Sequence, residues 1–134
     1  MPRETTEAIF RCSPERIWRV LTDPVEWVWP GGPAWVRAPM DGYEIITGDR
    51  DDTETVFRVT AFAPPRWYAL ELENERTVGR VEALLFREEG GTRLEISADL
   101  EGRTARQKLL LRLGLRRWQR QYIESLQKSV GDWR

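Results

Sequence analysis

The chain has 134 residues, of which 40% are hydrophobic and 32% charged, and its net charge is −1. That length suits a single domain over residues 1–134, able to bury about two thirds of the surface its unfolded chain would expose. No histidine, one cysteine and two lysines exclude Ser-His and Cys-His nucleophiles, cysteine zinc sites, and a phosphate loop of the GK[ST] kind.

The first residues, Met1-Pro2-Arg3-Glu4, are polar and charged, unlike a secretory signal. No apolar run approaches the ~20 residues that span a bilayer. The expected location is cytoplasmic, without stable membrane insertion. Residues 4–12 alternate as a strand, with Thr6, Ala8, Phe10 and Cys12 on one face. Ser13-Pro14-Glu15 combines a cap, a proline at the first helical position and an acid at the positive helix end, so a short helix follows. Ile17, Trp18, Val20 and Leu21 form its inner side. Asp23-Pro24 repeats the device and predicts a second short helix to about Trp29. Two prolines around Gly31-Gly32 then make residues 30–33 irregular.

From Ala34 the period becomes two. Strands are predicted around Trp35–Arg37, then over Tyr43–Thr47, Thr53–Phe62, Arg66–Glu73, Val78–Arg87 and Thr92–Leu100. The breaks are Asp41-Gly42, Gly48–Asp52, Pro64-Pro65, Asn74–Arg76 and Gly90-Gly91, the last fitting a two-residue turn with positive φ at both positions. Links this short join antiparallel neighbours. Thr104-Ala105-Arg106-Gln107 reads as a capping box that opens a long helix, and Gly131 closes it. Leu111, Leu115, Trp118, Tyr122, Leu126 and Trp133 recur at helical spacing as one stripe. Arg106, Arg116, Arg117 and Arg120 occupy the opposite face. Gly114 inside the helix points to close packing of sheet or ligand against its backbone. The whole is an α+β chain: a curved antiparallel sheet of about seven strands wrapped around a long C-terminal helix, with two short helices between strands 1 and 2.

The run Cys12-Ser13-Pro14-Glu15-Arg16-Ile17-Trp18-Arg19-Val20-Leu21-Thr22-Asp23-Pro24 resembles the opening of the START-like superfamily, also called helix-grip or SRPBCC. Ala63-Pro64-Pro65-Arg66 resembles its mid-sheet turn, and Gly91-Thr92-Arg93-Leu94 a strand start of the same family, notably in the polyketide cyclase/dehydrase branch. The resemblance implies a cavity between sheet and long helix that holds a lipid, a hormone or a polyketide-like molecule. The cyclase's polar catalytic set finds no counterpart here, and the Gly-Trp of the Hsp90-activator-like domains is replaced by Arg117-Trp118.

Alternation tells which residues face such a cavity. In the last strand Thr92, Leu94, Ile96, Ala98 and Leu100 share a face, and a Gly90-Gly91 turn sets Leu85 opposite Ile96, Ala83 opposite Ala98 and Val81 opposite Leu100. The same logic places Tyr68, Leu70 and Leu72 inward, along with Phe57, Val59 and Ala61. From the helix come Leu111, Leu115, Trp118 and Tyr122. Trp27, Trp29 and Trp35 flank the irregular loop, either as a lid over a ligand or as rim aromatics, and Tyr43 starts the neighbouring strand. This wall is apolar, with small residues at 61, 83 and 98. Either these leave room for a guest or they admit Trp118 and Tyr122 into a filled interior.

Three functions follow as expectations. The first is binding of a hydrophobic or aromatic small molecule, with no catalytic residue, metal or cofactor assigned. The second is a cyclase- or dehydratase-type enzyme acting on such a molecule. The third is a protein- or ribosome-binding module working through the basic helix. Residues 103–134 carry nine Arg and Lys against Glu124 and Asp132, a charge of +7, while the residues before them carry 12 basic and 20 acidic side chains, a charge of −8. A basic helix meets an anionic partner or complements an acidic sheet. The second is expected here, with no nucleic-acid partner. Leu109, Leu110 and Leu113 fall off the buried stripe, as cover for the cavity's end or as a patch for a homodimer partner or a membrane surface.

Overall fold

The computed structural model describes residues 3–23, 35–37, 44–48 and 54–131. Strand β1 (Arg3–Phe10) and helix α1 (Pro14–Leu21) precede β2 (Trp35–Arg37), β3 (Glu44–Gly48), β4 (Glu54–Ala63), β5 (Trp67–Glu73), β6 (Thr77–Glu88) and β7 (Gly91–Gly102). Helix α2 (Ala105–Ser129) follows. All seven strands pair antiparallel in one sheet, ordered β1-β7-β6-β5-β4-β3-β2. The second short helix and the Asp41-Gly42 turn expected from the sequence lie outside the described residues.

Local chemistry sets the helix ends. Ser13 Oγ accepts the Arg16 amide at 3.4 Å, with Pro14 at the first helical position. Thr104 Oγ1 accepts the Gln107 amide at 3.2 Å, and Gly131 closes α2 at φ 74°. The helix packs mainly on β7 and β1 and touches α1. Gln119, fully buried, fastens it there: its Nε2 donates to the Glu4 carbonyl at 2.9 Å, while its Oε1 accepts from the Thr6 hydroxyl at 2.7 Å. A long helix and an edge strand thus share one satisfied polar contact inside the core.

Two registers differ from expectation. In the β6–β7 hairpin Leu85 faces Leu94, Ala83 faces Ile96 and Val81 faces Ala98, so the pairing is displaced by two residues. Glu88 pairs with Gly91, which makes the turn Glu89-Gly90. Of the two glycines only Gly90 has positive φ, at 81°. Gly91 meets a different demand: a Cβ there would overlap the Phe10 carbonyl, where the end of β1 passes close. A two-residue displacement leaves every side chain on its face, so the inward set survives the correction.

The second difference does change a face. The β4–β5 register shifts between Val59 and Ala61. Phe57 pairs with Leu72 and Val59 with Leu70 on the inner face, whereas Ala61 pairs with Ala69 on the outer one, and Phe62 takes the inner place opposite Tyr68. Ala61 was expected inward and points the other way. A bulge adds one unpaired residue and reverses alternation beyond it, which the pattern of residue types does not reveal.

The outer face carries charge in register. Asp99, Arg80, Glu71, Arg58 and Glu44 stand side by side on β7, β6, β5, β4 and β3, alternating in sign across five strands. Opposite charges directly across strands each favour that pairing, and a slip would set like charges together. Further along, Arg93 reaches Glu7 at 3.0 Å, Glu95 at 2.9 Å and Glu88 at 2.5 Å, tying β1 to the β6–β7 hairpin.

Candidate functional site

Because α2 lies over the β1–β7 edge, it does not cover the inner face of β3–β6 along its first half. The space left is a cavity of about 540 Å³. Its floor is Phe57, Tyr68, Leu70, Leu72, Val81, Ala83, Ile96 and Leu100, and its roof is Leu110, Leu111, Gly114, Leu115, Trp118 and Tyr122. Leu21 of α1 closes one end. From Gln107 to Tyr122 it follows α2 for about 22 Å.

Phe57, Tyr68, Leu70, Ala83, Ile96, Leu111, Leu115, Trp118 and Tyr122 were expected on this wall, and all of them line it. Three others stand behind it. Leu85, 3% exposed, is in the main core cluster with Val59 packed against that cluster, and Ala98, fully buried, packs with Leu100 and Leu115. The backbone of Trp35 lies in β2, while Trp27, Trp29, Tyr43 and the Trp35 side chain fall outside what the structure describes.

Sequence reasoning missed a polar rim. Thr47, Thr55, Asn74, Thr77 and Gln107 line the end of the cavity nearest the start of α2. Asn74 is fixed there by the turn it makes: its Oδ1 accepts the Arg76 and Thr77 amides at 2.8 Å, and its Nδ2 donates to Thr55 Oγ1 at 3.1 Å. Thr55 and Thr77 are in phase with Phe57 and Val81, so carrying the alternation to the strand ends would have found them.

At the other end stand two phenols. Tyr68 packs edge-on against Trp18 and Phe62, with centroids 5.7 and 6.0 Å away, while Tyr122 stacks on Trp118 at 5.9 Å. Burial pushes the Tyr68 hydroxyl up to about 12. Burial also raises that of Tyr122, and a phenolate at Tyr68 would raise it further. Both are therefore neutral hydrogen-bonding groups at physiological pH. The Glu82 carboxylate is turned to the outer face, where it accepts from Trp67 Nε1 at 2.7 Å and pairs with Arg80 at 3.3 Å. Among the described residues no three His, Cys, Asp or Glu side chains are grouped to hold a metal.

Of the two packings expected at Gly114, the one against the sheet is absent among the described residues, and the residue lines the cavity instead. A Cβ there would meet nothing within 4 Å, so no sheet residue is packed on it. Gly114→Ala should stabilise the protein by about 1 kcal/mol in a urea melt, since only the helix-propensity difference operates. A loss of stability would instead mean that something fills the space.

A shallower depression on the outer face, about 390 Å³, is crossed by the alternating row of Arg58, Glu71, Arg80 and Asp99. There Arg80 pairs with Glu82 of its own strand at 3.3 Å, while one Asp99 carboxylate oxygen is buried without a hydrogen-bond partner among the described residues. The inner cavity is the better candidate because it combines apolar walls with a few convergent polar groups.

No protein-family model matches this sequence, and no curated protein matches it. Solved structures do. A conserved protein from Geobacillus kaustophilus superposes with a TM-score of 0.81 at 14% identity, over 97% of this chain and 95% of its own. A protein from Mesorhizobium loti gives 0.73 at 19% identity, over 95% of each chain. A START superfamily protein from Mycobacterium smegmatis gives 0.80 at 11% identity, over 96% of this chain and 97% of its own. Identities this low carry the fold alone. With its strand order, its long closing helix and these neighbours, the chain has the START-like, helix-grip fold.

Proposed function

We propose that this protein binds an apolar or aromatic small molecule, lipid- or polyketide-like, in the cavity between the sheet and α2. The observation that carries the reading is a space of about 540 Å³ whose walls are aliphatic and aromatic, which falls within the ~300–1,000 Å³ usual for ligand sites. Its polarity is graded. A guest with an apolar body would meet Leu70, Ala83, Ile96 and Leu115 along its length. A hydroxyl or carbonyl at one end would meet the threonines and Gln107, and at the other the two phenols.

Carriage is favoured over a cyclase- or dehydratase-type reaction by the acid–base inventory. The two tyrosines are held neutral and can donate a hydrogen bond, but neither is tuned toward the proton-transfer range near pH 7. Native mass spectrometry of freshly purified protein should show a co-purified apolar mass, and an apolar fluorescent probe should bind in competition with it. Because neither phenol titrates there, probe affinity should be flat from about pH 6 to 8. Stability should hold to about pH 10, where unfolded tyrosine ionises, and fall as the pH climbs toward the raised folded-state values. Turnover of a polyketide-like substrate that vanishes in Tyr68→Phe or Tyr122→Phe would overturn carriage in favour of catalysis.

A further inference from the structure

The side of α2 turned away from the sheet is apolar and cationic at once. Leu109, Leu110 and Leu113 are 53%, 52% and 73% exposed. Arg106 precedes them on that face, and Arg116, Arg117 and Arg120 follow at helical spacing, all exposed. Arg112 flanks the stripe, Lys108 falls in phase with the buried Leu115 and Gln119, and no Asp or Glu occurs between Ala105 and Ile123. Among the described residues no ion pair engages any of these cations. Among the described residues the sheet's acids therefore make no direct ion pair with this face of the helix.

We infer that this face is a peripheral docking surface for an anionic lipid bilayer. A helix lying in the membrane interface needs leucines to enter the acyl boundary and long basic side chains around them to reach the headgroups. Arginine stems cover apolar surface while the guanidinium stays at headgroup depth. Charge complementarity selects this occupant over the alternatives. A second copy docked face to face would set arginine against arginine, whereas a nucleic acid would engage the arginines and leave three leucines in water. No described helix is long and apolar enough to cross a membrane, so the contact is one of lying on the surface. Leu110 belongs both to this face and to the cavity rim, which puts the docked helix at the mouth of the cavity. Docking does not depend on what the cavity holds.

The test is flotation of the full chain with vesicles of phosphatidylcholine and phosphatidylserine, against vesicles of phosphatidylcholine alone. The protein should float with the anionic vesicles, weakly or not at all with the neutral ones, and less as salt rises. Leu109→Gln with Leu113→Gln should abolish flotation without lowering the melting temperature, since both side chains are already exposed. Arg116→Gln with Arg117→Gln should weaken it roughly fivefold per cation removed. Absence of flotation with anionic vesicles would overturn the inference, as would flotation that survives both double variants. It would equally fall if the leucine pair split a dimer in light scattering while vesicle binding stayed absent, or if only the arginine pair mattered and RNA displaced the vesicles.

Discussion

Ala83→Phe should leave stability at or slightly above that of the wild type while lowering apolar probe affinity at least about tenfold, a change of about 1.4 kcal/mol in binding. Ala98→Phe should behave in the opposite way, costing about 1–3 kcal/mol in a thermal melt. The two alanines lie on one face of neighbouring strands, and composition alone does not distinguish them. Ala83 sits between Tyr68 and Ile96 in the sheet and opens into the cavity, so a ring there buries apolar area in space that is already vacant. Ala98 is fully buried against Leu100 and Leu115, where a ring has no room. Equal destabilisation of both variants, beside a wild type that binds no probe, would mean the interior is filled and would remove the basis for the ligand reading.

Replacing Gln119 tests the joint on which the helix rests. Gln119→Leu keeps the volume but strands the Glu4 carbonyl and the Thr6 hydroxyl, and should cost about 1–3 kcal/mol in a urea melt. The loss should appear first as faster amide exchange along β1, since that edge strand loses its fastening to α2. Adding Thr6→Val removes one of the orphaned groups, so the double variant should be more stable than Gln119→Leu alone. Additive losses would show that the side chain contributes packing rather than hydrogen bonds.

Element types were legible because each rests on short-range chemistry. Ser13-Pro14 and Thr104 present caps that need only the next three residues. The stripe from Leu111 to Leu126 and the two-residue period of β7 are periodicities, and a periodicity is visible without a partner. So was most of the cavity floor, because inward residues repeat along a strand whatever it pairs with.

What only the tertiary structure decided depends on pairing and placement. The bulge after Val59 turned Ala61 outward, and the Glu89-Gly90 turn moved the β6–β7 register by two residues, since one added or shifted residue costs little locally. The charge row from Asp99 to Glu44 exists only in that register. Whether the alanines bordered space or packing hung on where α2 came to rest, and Gln119 placed it over β1 and β7. That placement opened the space beside Ala83, filled the one at Ala98, and turned the arginines and three leucines outward. Charge totals along the chain could not foretell it, because electrostatic complementarity depends on which groups a fold brings within reach of each other.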